Sequence, residues 1–485
     1  MERVLNELEK VQASPADMDA VHDLRVAIRR CRSVAAVMEE VDPHVSWKEM
    51  RKYPRKLFRA LGELRDAQVL EEWVATLSMD VDAIRDRLLE EFTKKEKELG
   101  AEADRVAAKF DPKTWKKHER ALRTRSRLVP PDSLAAECLA LERLEAAKVL
   151  HARALRTTKP AAWHELRIGV KKFRYTVESL LPVKYQVWGE ELKHVQDLLG
   201  EMHDLSVLAE RIERMATPAM QDLKDAWKGR LASETTTRLE RYRELTLGKT
   251  NLFQIWRTGL PQGQQLELAG MARLDVTLRG LDLNAQRSRR ISSLAMRLYD
   301  GLARVHATPA FADAKLRRVM RAAAKLHGIG SGLESKKPEK AARDLLLKME
   351  PPAGWNAEDW NLVATIVRYH RGKQPQEKHK VFAKLSEEER WKVCACAGVL
   401  RLARVLRKFG VHSTIGVKVE KSVDAVIVNV PGLMDTEETA AGIAAGKHLL
   451  ETCIGCPLIL KRVEILRVVE LRKVTERVQT AVASD

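Results

Sequence analysis

The stretch VHDLRVAIRRCR, residues 21–32, returns later in the chain as WHELRIGVKKFR, residues 163–174, and this repeat decides the fold. At helical spacing each copy divides into two adjoining stripes. In the first copy Leu24, Ile28, Cys31 and Ala35 make an apolar stripe, while His22, Arg25, Arg29 and Arg32 gather within about 80° of arc beside it. In the second copy Leu166, Val170, Phe173 and Val177 are the apolar positions, and His164, Arg167, Lys171 and Arg174 the basic ones. Each segment is therefore expected to be an amphipathic helix, with one face in a core and a cationic rail at its edge.

A second pair of matching segments lies further along: LGELRDAQVL at 61–70 and LGEMHDLSVL at 199–208. Order is preserved and spacing nearly so, with 40 positions from His22 to Gly62 and 36 from His164 to Gly200. Two related helical bundles are implied, joined through VPPDS at 129–133. Gly62 and Gly200 suit a close approach of helices, and Asp66 and Asp204 an orienting role toward neighbouring arginines. Helical period persists to about residue 245. GLPQGQQ at 259–265 then interrupts the chain, and AQRSRRISSLAMRLYDGL at 285–302 opens a further run of helices. VKVEKSVDAVIVNVPG, a helical stretch through 450 and CPLILKRVEIL read as strand, strand, helix, strand. The expected class is mainly α: bundles over 1–245, with copies at about 1–128 and 134–245, a linker at 246–280, a helical domain at 281–410 and a small α/β module at 411–485.

Composition narrows the function. Of 485 residues, 86 are Lys or Arg and 68 are Asp or Glu, a formal charge of +18, so the natural partner is anionic. Aromatics are only 5%, thin for a protein that stacks on unpaired bases, which disfavours single-stranded nucleic acid. The opening MERVLNELEK lacks the apolar core of a signal peptide, and no run suits a membrane span, so a cytoplasmic protein with no membrane partner is expected. Six cysteines are too few for a disulfide framework. Cys394, Cys396, Cys453 and Cys456 fail as a zinc site, because a C-x-C pair on a helix points its sulfurs about 200° apart. No cofactor is expected.

A solvated charged face interleaves acids with bases at i, i+4, yet these rails carry four basic positions each and no acid. Arginine forks and ammonium groups at successive turns, about 5–6 Å apart, suit anionic oxygens repeated along a line. A linear phosphate polymer fits best, with His22 and His164 as donors at the start of each rail. Lys48, Arg51, Lys52, Arg55, Lys56 and Arg59 would widen the first rail. KTWKKHERALRTRSR at 113–127 is equally basic, but its charges run around the wheel, as on an ordinary solvated helix.

With HDLRVAIRRCR, LGELRDAQVL, HELRIGVKKFRY and LGEMHDLSVL in view, residues 1–245 strongly resemble the CHAD domain, the conserved-histidine α-helical domain. The resemblance implies two pseudo-symmetric four-helix bundles around a basic cavity that binds inorganic polyphosphate. Its basic and histidine positions correspond here to His22, Arg25, Arg29, Arg30, His164, Arg167, Lys171, Lys172 and Arg174. The second copy departs from the first before its glycine motif, where EELKHVQDLLG carries only Lys193 and His194.

Residues 280–465 resemble the C-terminal helical region of exopolyphosphatases and guanosine pentaphosphate phosphatases, an HD-like domain followed by a small α/β module. The resemblance rests on RSRRISSLAMRLYDGL, AAAKLHGIGSGLESKKPEKAARDLL, LVATIVRYHRGKQP and WKVCACAGVLRLARVLRKF. The phosphatase domains that carry that family's hydrolytic residues have no counterpart. Where HD sequences have His-Asp, this chain has His327-Gly328, with Arg287 in place of the first His and Lys336 and Lys337 where further ligands are expected. Arginine does not ligate a metal. Arg287, His327, Lys336, Lys337, His370 and Arg371 either hold phosphate directly or belong to a relic fold used for docking or homodimerisation.

The expected function is non-catalytic binding of polyphosphate, in association with polyphosphate granules. The rivals are a metal-dependent hydrolase of polyphosphate or guanosine penta- or tetraphosphate, and a binder of duplex nucleic acid.

Overall fold

The computed structural model describes residues 1–463 except 15, 16, 43, 79–81, 158, 216, 280, 334 and 413. The remainder of the α/β module, 464–485, with the end of CPLILKRVEIL, lies outside the described residues. The chain divides into two units, Met1–Thr277 and Leu278–Asp485.

The first unit is helical. Its first copy comprises α1 (Glu2–Ala13), α2 (Met18–Val41), α3 (Val45–Lys52), α4 (Arg55–Leu77), α5 (Ala83–Ala108) and α6 (Pro112–Leu122). The second comprises α7 (Leu134–Ala154), α8 (Pro160–Leu180), α9 (Pro182–Met215) and α10 (Gln221–Thr246). Caps fix the starts: Asp17 accepts from the backbone N–H of Asp19 and Ala20, Asp82 from Ile84 and Arg85, and Ser133 from Ala136. Each such cap contributes about 1 kcal/mol. The copies differ where Pro54 separates α3 from α4, because proline has no N–H to continue a helix. Leu192, equally far before its glycine, is fully buried, and α9 runs unbroken through that point.

The repeated helices pack on each other, α2 against α8 and α4 against α9. Both copies also share one core, in which Leu70, Val74, Ile84, Leu88 and Phe92 meet Leu205, Leu208, Ile212, Trp227 and Leu231. Trp227, fully buried, donates its Nε1–H to Asp82 at 3.0 Å, the same carboxylate that caps α5. Burial of its ring contributes at least the 1.5–3 kcal/mol of an ordinary large apolar side chain, roughly.

The expected linker at 246–280 is helical instead, with α11 (Leu252–Thr258) and α12 (Gly263–Leu278). Asn251 caps α11 through the Gln254 N–H, and Trp256 is buried 5.5 Å from the ring of Phe173. Arg257 pairs with Glu145 at 3.2 Å and Arg273 with Glu142 at 2.8 Å. GLPQGQQ is thus the turn between two docked helices.

The second unit contains α13 (Ala285–Arg304), α14 (Ala314–Leu326), α15 (Pro338–Lys348), α16 (Ala357–Tyr369), α17 (Lys380–Ala383), α18 (Glu387–Lys408) and α19 (Glu437–Ile454). Helix α18 is its axis, started by a capping box between Ser386 and Glu389 and packed against α13, α16 and α19. Gly398 permits the α19 contact, since a Cβ there would stand 3.0 Å from the backbone of Leu450. The sheet has strands β1 (Lys418–Lys421), β2 (Val426–Pro431) and β3 (Leu458–Val463). Strand β2 is central, antiparallel to β1 and parallel to β3, and buries Val426, Val428 and Val430 on one face. Cys396 is buried while Cys394 lies beside Cys453, and among the described residues no group of three His, Cys, Asp or Glu could hold a metal ion.

Candidate functional site

The packing of α2 on α8 brings the two rails together. The Arg29 guanidinium of the first copy lies 5.2 Å from the ring centre of Tyr175 in the second. Burial, then Arg167, Arg29 and Arg25, push the Lys171 ammonium down to about 8, with Asp66 opposing. Burial likewise lowers Arg29, with Arg174 and Arg25 adding to the effect and Tyr175 and Glu178 opposing it. Like charges crowd here on half-buried side chains, where solvent screens them only in part.

The glycine motifs supply what the rails lack. Arg25 crosses the face of α4 at Gly62, where a Cβ would meet its Nε at 3.8 Å, and Arg167 crosses α9 at Gly200, where the distance is 3.9 Å. The expected close approach of helices at these glycines is therefore a passage for an arginine side chain. Arg25 Nη2 lies 3.6 Å from Asp66 Oδ1. Burial pushes the Asp204 carboxyl up to about 6, against the pull of Arg167 and with Asp66 and Glu201 adding to the rise. Two acids, Asp66 exposed and Asp204 half-buried, thus face Arg25, Arg29, Arg167 and Lys171. Arg25 Nε, Arg29 Nε and the Tyr175 hydroxyl are buried with no hydrogen-bond partner.

Other expected ligands lie elsewhere. His22 and His164 are exposed at their helix starts, and His164 borders a cleft of about 980 Å3 with Trp163, His203, Arg156 and Arg243. The ring of His203 is 4.9 Å from that of His164. Arg30 and Arg174 converge on Glu178, at 2.8 and 3.8 Å. Arg174 is 6% exposed and also donates to Gln196 at 2.9 Å, which removes it from the ligand set. Its role is to lock the helices together. Arg32 sits 4.6 Å from the Phe58 ring centre and shares its surroundings with Arg51 and Arg55. Arg25 is over the same ring at 5.9 Å, so Phe58 joins the cluster to the basic face of α3 and α4. Lys52, Arg55, Lys56, Lys172 and Lys193 are exposed, Arg59 pairs with Glu63 at 3.4 Å, and Arg51 pairs with Glu39. In the 113–127 segment Arg125 forks onto Asp42 at 2.8 and 2.7 Å. Sequence reasoning missed Tyr175 and Phe58, whose signal was an aromatic set among closely spaced cations.

In the second unit Arg287, His327, His370 and Arg371 line one pocket of about 100 Å3, with Asp282, Glu339 and Arg404. Lys336 and Lys337 are exposed and do not line it, because the turn before α15 carries them outward.

Residues 1–213 match the family model of the CHAD domain, and residues 275–427 match that of the Ppx/GppA phosphatase, domain III. No curated protein matches. The chain is a fusion of these two modules, a pairing that fits a polyphosphate-related function. Among the described residues no helix is long and apolar enough to cross a membrane.

Proposed function

We propose that the chain binds inorganic polyphosphate, without hydrolysing it, at the α2/α8 cluster of Arg25, Arg29, Arg167 and Lys171. One observation supports this reading: four half-buried cations from both copies crowd together, faced by two acids, Asp66 and Asp204. Such an arrangement costs folding free energy, and a ligand with closely spaced phosphate oxygens relieves it. Charge-assisted bonds from Arg25 and Arg29 to phosphate are of the strong kind. The ridge through Phe58 to Arg32, Arg51 and Arg55 extends the track beyond the cluster, as a polymer requires. Association with polyphosphate granules follows from the same affinity.

The test is a titration of fluorescent long-chain polyphosphate against the whole protein, with orthophosphate release followed in Mg2+ and in Mn2+. Saturable binding lost in R29E, without turnover, is the expected result. Sustained phosphate release, or tighter binding of duplex DNA at matched charge concentration, would overturn it.

A further inference from the structure

The pocket of the second unit has chemistry of its own. His327 and His370 stand at the ends of α14 and α16 and line it together, their ring centres 5.4 Å apart. Each ring has Nδ1 within bonding distance of a backbone carbonyl, that of Ala324 at 2.7 Å and that of Val367 at 2.6 Å. A carbonyl accepts only, so each Nδ1 carries the hydrogen and each Nε2 is left as an acceptor. Among the described residues neither Nε2 has a hydrogen-bond partner. Burial drives His327 down to about 4 and His370 well below its ordinary range, which keeps both rings neutral.

Around these two acceptors stand cations. Arg371 is held by Glu339 at 3.3 Å, and Arg368 binds the same carboxylate at 3.4 Å. Arg287 and Arg404 form no hydrogen bond or ion pair with any described residue. Burial, together with Arg371 and Arg287, lowers Arg404 to about 10. Asp282 is occupied by the Asn284 N–H at 2.9 Å, and its Oδ2 would be 2.4 Å from a Cβ at position 328. Gly328 therefore makes room for this carboxylate.

We propose that this pocket binds a single protonated phosphate group, free orthophosphate or the terminal phosphate of a longer phosphoanhydride, gripped by Arg287 and Arg404, with its P–OH donating to a histidine Nε2. The pairing of cations with neutral acceptors sets the selectivity. Arginines alone would take any oxyanion, but an Nε2 lone pair needs a donor, and hydrogen phosphate brings one. Sulfate carries no proton near neutrality and would set oxygen lone pairs against nitrogen lone pairs, leaving buried acceptors unpaired. Protonating a ring to admit sulfate costs about three powers of ten at pH 7 when its pKa is near 4. The volume, about 100 Å3, suits one tetrahedral group and not a polymer run. This inference is independent of the first unit's cluster.

The test is calorimetric titration of the full-length protein with orthophosphate, sulfate and tripolyphosphate at matched ionic strength, repeated on R287A and R404Q. Saturable orthophosphate binding at least tenfold tighter than sulfate, weakened at least tenfold by R287A, is the expected result. Arg287 is exposed, so R287A should keep the wild-type melting temperature. R287-dependent binding of tripolyphosphate assigns the natural ligand to a terminal group, and exclusion of tripolyphosphate assigns it to the free ion. Equal affinity for sulfate, no effect of R287A, or saturable Zn2+ binding abolished by H327N would overturn the proposal.

Discussion

Replacing Lys171 by methionine should stabilise the ligand-free protein and cripple it as a binder. Lys171 is held at about 8 against an ordinary 10.5, which at 1.36 kcal/mol per pKa unit is about 3 kcal/mol of differential penalty on its charge. The penalty applies in full below pH 8, where folded and unfolded chains are both protonated. It fades between pH 8 and 10.5, where only the unfolded chain keeps the proton, so wild-type stability rises with pH across that window. Methionine fills similar volume with no charge, and allowing for imperfect fit K171M should gain about 1–3 kcal/mol at pH 7. The gain should vanish near pH 10.5. One charge-assisted contact to phosphate contributes about 1.5–3 kcal/mol, so polyphosphate affinity should fall roughly 10- to 100-fold. Urea unfolding at pH 7 and pH 10, with anisotropy titration of labelled polyphosphate, reads both effects. Destabilisation at pH 7 with unchanged affinity would refute the reasoning.

Arg174→Ala should do the opposite, costing about 2–4 kcal/mol by emptying a buried space and removing the donor to Gln196 while Glu178 keeps only Arg30, and polyphosphate affinity at a temperature where the variant is folded should stay within twofold. Thermal melts and the same titration decide it. Affinity should be highest below pH 6 and fall as pH climbs past about 6, where Asp204 ionises, and again past about 8, where Lys171 discharges. An affinity flat from pH 5 to 9 would contradict those assignments. By analogy with counterion release from DNA, log affinity against log salt should be linear with a slope of about −3 to −6, shallower by about one in R29Q. A slope near zero would mean that charge does not drive binding.

The repeat made the architecture legible, because an apolar stripe at helical spacing beside a basic one, found twice, leaves few ways to fold. It also pointed to Arg25, Arg29, Arg167 and Lys171, since equivalent positions on paired helices converge when those helices pack. What the wheel lacked was the rest of the molecule. The quartet read from the wheel ends at Arg174, yet one turn further along α8 Glu178 falls on the same stripe, takes Arg174 out of the rail and also pairs with Arg30, while Asp66 and Asp204 reach the stripes from α4 and α9. The spacing of Arg174 and Glu178, i and i+4, did carry that signal. The segment at 246–280 looked like a linker because its Gly and Pro residues outweighed the anchoring Phe253 and Trp256. In the second unit the pocket takes Arg404 from a helix distant in sequence, which no local pattern announces.

The proposed site requires one polymer to meet both copies at once. A double-mutant cycle between Arg29 and Lys171, using R29Q, K171Q and the double variant in anisotropy titrations with long-chain polyphosphate, tests this most directly. It predicts that each single change weakens binding at least tenfold and that the double loss is smaller than the product of the two. Single variants that bind like wild type, or losses that multiply exactly as at independent sites, would contradict it.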